Sequence, residues 1–180
     1  MKKIILTVLL FSIFIVKAQN KKNNSNIFYK KNELKLNVTF PMFGILEVAY
    51  ERNLNKKSSL GISGLYVVNK NSDEDTNYLI SPYYRRYFGK KFASGFFLEG
   101  FGTLSSIDGK KIIDGNGIRT RNEGADVMDL SLGLSLGNKW VTKNGITFEL
   151  FAGLGKQLFN ATKTDHDIVT RFGLNVGYRF

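Results

Sequence analysis

Cysteine is absent from the 180 residues, which excludes a disulfide framework and a thiolate metal site. Acidic residues are scarce: 15 Asp and Glu stand against 26 Lys and Arg, for a net charge of +11. Proline occurs twice, and histidine and tryptophan once each. Beyond the first residues, no apolar run reaches the about 18 residues that mark a membrane helix, so helical spans are excluded. Mean hydropathy is −0.15, a value that suits a soluble protein. It also suits a β-barrel, whose lipid-facing and lumen-facing residues alternate and average out.

The first residues read as an export signal. Lys2 and Lys3 precede an apolar run from Ile4 to Val16, and Lys17-Ala18-Gln19 follows. The run is too short for a spanning helix, and its flanks suit secretion, with cleavage expected after Ala18. Residues 1–18 are thus the expected signal peptide, and the missing cysteine argues against a lipid anchor. Residues 19–32 are polar and rich in Lys and Asn, and read as a flexible periplasmic lead-in. An exported basic chain rarely meets nucleic acid, so none is expected as a partner. Anionic glycolipid is the expected neighbour.

Residues 33–180 form the expected domain. Alternation of period two predicts eight strands: 33–40, 45–54, 59–68, 78–88, 93–105, 127–137, 146–158 and a last one ending at Phe180. Most have about the length that crosses a bilayer at a tilt. Pro41-Met42-Phe43-Gly44 reads as a tight turn, and Pro82 as the site of a bulge. Residues 106–125 read as the longest loop. Strand four is ambiguous, because Tyr83, Tyr84, Arg85, Arg86 and Tyr87 run together. Elsewhere the apolar parity is clear, as in Leu130, Leu132, Leu134 and Leu136 against Asp129, Ser131, Gly133 and Ser135. An even strand count returns both chain ends to one side, with short turns there and longer loops opposite.

The last stretch is the most specific. Phe172, Leu174, Val176, Tyr178 and Phe180 share one parity, against Gly173, Asn175, Gly177 and Arg179. A naked terminal strand with five large apolar groups on one face invites aggregation in water. In a membrane barrel its edge is paired and its apolar face meets lipid. The stretch resembles the C-terminal assembly signal of bacterial outer-membrane barrels, which the insertion machinery reads. The whole domain resembles the small eight-stranded barrels of the OmpA/OmpX kind. That resemblance implies an all-β, antiparallel, up-and-down transmembrane barrel in the outer membrane of a Gram-negative-type bacterium. It implies a monomer, surrounded by outer-membrane lipid and glycolipid.

Inward polar groups are expected at Lys35, Glu47, Glu51, Arg85, Glu99, Asp129, Glu149, Arg171 and Arg179. An eight-stranded lumen has room only for side chains, so these charges must pair. Hairpin register sets Arg85 opposite Phe97 or Glu99, and Arg85–Glu99 is the expected central pair. Glu149 and Arg179 are expected to stand in a similar relation across the last two strands. No catalytic residue, cofactor or metal is assigned. His166, between Asp165 and Asp167, imitates with Ser105 and Ser106 the surface groups of a barrel-shaped lipid A acyltransferase, but no nucleophile motif accompanies it. Asn69, Asn71, Asp73, Asp75 and Asn77 alternate as oxygen donors without the Gly and closing Glu of a calcium loop. Aromatic belts are expected from Trp140, Phe92, Tyr50 and Tyr178 at one rim and Phe40, Phe43, Tyr66, Tyr78 and Phe159 at the other.

The expected function is therefore non-enzymatic: a barrel with a side-chain-filled polar lumen, its outer loops available for surface interaction or envelope integrity. A secreted lipocalin-like barrel with a greasy cup is the alternative, and a lipid-modifying membrane enzyme the third.

Overall fold

A computed structural model describes residues 29–68, 76–107, 111–113, 119–123, 127–159 and 168–180. The expected export signal, most of the lead-in, the Asn/Asp alternation at 69–75 and the group around His166 lie outside the described residues. The strands are β1 (Asn32–Asn37), β2 (Ile45–Asn55), β3 (Ser58–Val67), β4 (Thr76–Tyr87), β5 (Gly95–Ile107), β6 (Lys111–Ile113), β7 (Arg119–Glu123), β8 (Val127–Val141), β9 (Ile146–Gln157) and β10 (Ile168–Arg179). Eight of them close a barrel in the order β1-β10-β9-β8-β5-β4-β3-β2, every neighbour antiparallel. Because β1 pairs with both β2 and β10, the barrel has no open edge.

Register explains why the sequence alternates so consistently. Partner residues share parity along every barrel seam, except at bulges between Asn53 and Asn55 and between Thr76 and Tyr78. Odd-numbered strand residues therefore face the lumen and even-numbered ones face out. The exposed large apolar residues of the strands are even: Leu132, Leu134, Leu150, Leu154, Phe172 and Leu174 among them. This resolves strand four: Tyr83, Arg85 and Tyr87 are buried, while Tyr84 and Arg86 are exposed.

Several boundaries differ from expectation, each for a local reason. The first strand stops at Asn37, because Phe40–Phe43 winds into a 3-10 turn with Pro41 near its start. Gly44 ends that turn at φ 75°, a left-handed conformation natural to glycine. Pro82 causes no bulge. It stands opposite Ile62, and the β4–β5 register is unchanged on either side of it, with Ile80 facing Leu104 and Tyr83 facing Phe101. Proline forfeits one ladder bond without shifting the strand. Within the expected loop at 106–125, β6 and β7 pair as a separate two-stranded ladder. β8 continues to Val141, beyond the expected end at residue 137. β5 begins at Gly95, and Ala93 before it sits in the turn at φ 39°.

Candidate functional site: an ion lattice in the barrel lumen

The inward faces of seven of the eight barrel strands, all but β3, contribute charges that meet in the lumen. Glu33 and Lys35 come from β1, Glu51 from β2, Arg85 from β4, Glu99 from β5, Lys139 from β8, Glu149 from β9 and Arg179 from β10. All are buried, so four cations face four carboxylates out of contact with water. Such a cluster persists only if every charge is paired and every polar atom is bonded.

The pairing meets that demand. Arg85 and Glu99 face each other across the β4–β5 seam, and Arg85 Nε donates to Glu99 Oε2 at 2.5 Å. The same guanidinium reaches across the lumen, Nη1 donating to Glu51 Oε2 and to Glu149 Oε2 at 2.9 Å each. Glu51 is the most heavily used acceptor. It also receives Lys35, Lys139 Nζ at 2.5 Å, Tyr87 Oη at 2.6 Å and Tyr83 Oη at 3.2 Å. Glu99 Oε1 accepts from Ser135 at 2.6 Å and from Arg171 at 3.0 Å.

The expected Glu149–Arg179 relation is not what the fold makes. Arg179 stands opposite Glu33 in the β1–β10 ladder, and its Nε donates to Glu33 Oε1 at 2.7 Å. Glu149 stands opposite Asn175 and takes Lys35 and Arg85 instead. The closing seam lets β1 supply the nearer carboxylate. Hairpin reasoning across β9 and β10 alone cannot see it.

Two lattice members escaped sequence reasoning. Glu33 lay at the edge of the expected first strand, and Lys139 lay in an expected turn. Parity was the available signal, since both are odd and Trp140, after Lys139, is even and exposed. Lys139 is central: its ammonium lies 2.9, 2.5 and 3.4 Å from carboxylate oxygens of Glu33, Glu51 and Glu149. Those three acids converge closely enough to hold a metal ion. Lys35 also reaches all three, so two ammonium groups already fill the role a bound cation would play there.

Aromatic rings wall the lattice. Arg85 lies over Phe97 at 4.2 Å and over Tyr83 at 4.6 Å, and Lys139 over Tyr87 at 4.7 Å. Such contacts suit cations that have left water. Glycines opposite make the room: a Cβ on Gly61 would lie 2.3 Å from the Tyr83 ring, and one on Gly137 2.4 Å from the Phe97 ring. Gly61→Val is therefore expected to displace Tyr83 and destabilise the barrel by about 1–3 kcal/mol. A urea titration of the folded form checks this, and unchanged stability would show the ring has slack.

Both ends of the lattice are occupied. At the short-turn end, the β4–β5 connection tucks Ala93 inside, against Tyr87, Phe97 and Phe151. Arg179 holds it there, Nη2 donating to Ala93 O at 2.8 Å and Nη1 to Phe92 O at 3.1 Å. Phe92 thus packs on this plug and not in the expected aromatic belt. At the other end Arg171 lies 3.7 Å from Glu47, and Asn37 donates to Glu47 at 2.8 Å. Asp129 accepts from the backbone N–H of Leu130 and Phe159 at the rim. Ser105 and Ser106 are buried in the wall. The lumen is polar and filled, the reverse of a lipocalin-like cup.

None of the curated proteins compared matches the chain. The N-terminal β-barrel domain of Pseudomonas aeruginosa OprF is similar in fold, with a TM-score of 0.57 and 13% identity over 84% of this chain and 98% of that one. The Yersinia pestis outer membrane protein Ail, solved in a phospholipid bilayer nanodisc, matches with a TM-score of 0.41 and 15% identity, covering 84% and 99%. The fold is a closed eight-stranded antiparallel barrel, similar to that of the OprF domain. By a match over residues 4–176, the chain belongs to the family described as "Protein of unknown function (DUF3575)".

Proposed function

We propose that the chain is an integral barrel of the outer membrane of a Gram-negative-type bacterium, closed to solutes and without enzymatic activity. Its working surface is the long-connection end, turned outward for surface interaction or envelope integrity. One observation carries the reading: the charges between the two rims are inside, paired and dry, while the outer wall between the rims is an apolar band. Leu134 and Leu154 are 62% and 64% exposed and stand opposite each other across β8 and β9. A wall of that kind is unfavourable in water and favourable in hydrocarbon. Trp140 and Tyr50 at one rim, and Tyr66 and Phe159 at the other, are exposed where interfacial belts sit.

In this reading the partners are outer-membrane lipid and glycolipid, plus the insertion machinery that reads the final strand. The barrel works as a monomer. Fractionation tests it: the protein should pellet with outer membranes and migrate faster on a gel before boiling than after. Recovery in the soluble fraction, with no heat-dependent shift, would contradict it.

The wall also sets a substitution rule. Leu132→Arg is expected to cost about 2–4 kcal/mol, because it puts a cation near the bilayer midplane. Folding titrations in lipid vesicles check it. Stability equal to that of wild type would mean that this face of β8 does not meet hydrocarbon.

A further inference from the structure

Charge is sorted along the barrel axis as well as across its wall. The connections after β2, β4 and β8 share one end with the start of β1 and the finish of β10. The acidic side chains near that end, Glu33 and Glu51, are fully buried in the lattice. Among the described residues, every charged side chain exposed there is a lysine or an arginine, including Arg52, Arg86, Lys56, Lys90, Lys91 and Lys143. Among the described residues the ion pairs lie in the lumen, and none joins one of these exposed cations to an acid. Of the remaining acids of the barrel domain, Glu47, Glu99, Asp129 and Glu149 are buried in barrel strands, and the others fall in the sequence between β3 and β4, β5 and β8, and β9 and β10, connections that leave from the opposite end.

Height distinguishes what the collar faces. Arg52 follows Tyr50 on the outer face of β2, and Arg86 follows Tyr84 on the outer face of β4. One such step along a strand is about 6–7 Å. Interfacial aromatic rings settle at headgroup level. The two guanidinium groups then stand on the wall at the depth of lipid phosphates. A soluble acidic partner below the rim would meet the turn lysines but not these arginines.

We infer that this basic collar binds the phosphates of anionic phospholipids in the leaflet at the short-turn end, enriching them around the barrel. The inference rests on the membrane reading above. Trp140 provides the test, being the only tryptophan of the chain and 52% exposed. It lies near the end of β8, between the turn carrying Lys143 and the turn carrying Lys90 and Lys91.

The full chain is folded into vesicles of phosphatidylcholine and phosphatidylglycerol. In parallel series one lipid or the other is brominated, at equal mole fraction, and Trp140 quenching is read. Brominated phosphatidylglycerol is expected to quench as though enriched about fivefold, the effect of roughly one basic group at a membrane surface. About 0.5 M salt should erase the preference by screening. The variant Arg86→Gln, Lys90→Gln, Lys91→Gln, Lys143→Gln should lose the preference while brominated phosphatidylcholine still quenches. If that variant does not fold, the salt titration of wild type carries the test. Equal quenching by the two lipids at low salt overturns the collar and leaves the membrane reading standing. Quenching by neither lipid overturns the membrane reading itself.

Discussion

Glu51→Gln is expected to destabilise the barrel by about 3–5 kcal/mol, the usual cost of breaking one partner out of a buried charge network. The residue is fully buried and accepts from Lys35, Arg85, Lys139, Tyr83 and Tyr87. Glutamine keeps the volume and loses the charge. Its amide nitrogen would also point a donor at groups that are themselves donors. Four cations would then face three carboxylates with no water to screen them. Urea titration of the vesicle-embedded barrel, followed by the gel shift on heating, measures the loss.

The same account predicts partial rescue. Adding Lys139→Gln to Glu51→Gln restores neutrality and should recover some of the loss, with a coupling of about 0.5–3 kcal/mol. Arg85→Gln with Glu99→Gln should couple likewise, since those two face each other in register. Strict additivity in both cycles would mean that the lattice is not a unit.

Deleting Phe180, or changing Tyr178 and Phe180 to Ala, is expected to leave most of the protein in the periplasm or degraded. Phe180 exchanges two backbone hydrogen bonds with Asn32, at 2.8 and 3.1 Å, across the seam that closes the barrel. Tyr178 stands opposite Leu34 on one side and Ile146 on the other. Removing these groups weakens the closing seam and erases the end of the apolar stripe on β10. Cell fractionation reads the outcome, and normal insertion of both variants would count against an assembly role for this stretch.

How much of this was legible in the sequence follows from what sets each feature. Strand number and, outside β4, facing were legible because both bulges lie at strand ends, so that along the rest of each strand parity reports the environment of every second residue. The Arg85–Glu99 opposition was legible because a short hairpin fixes register by local geometry. The Glu33–Arg179 pair was not, since it joins the two ends of the barrel domain and exists only once the barrel closes. Lys139 was hidden because Asn138 beside it looked like the start of a turn, whereas three further residues pair with β9. The Ala93 plug was hidden for another reason. Its position depends on Arg179, which lies far away in the sequence and donates to its carbonyl.

The absence of native cysteine gives the most direct test of the central claim, a membrane barrel with a closed lumen. Single cysteines are placed at Leu132 and Leu134 on the outer face of β8, and at Ser131 and Ser135 on its inner face. A charged, water-soluble thiol reagent is applied to each protein folded in lipid vesicles. The expected result is that neither set reacts until the protein is unfolded, because lipid covers one face and the packed lattice covers the other. Rapid reaction at 132 and 134 would mean that the wall faces water, and rapid reaction at 131 and 135 would mean that the lumen is an open pore.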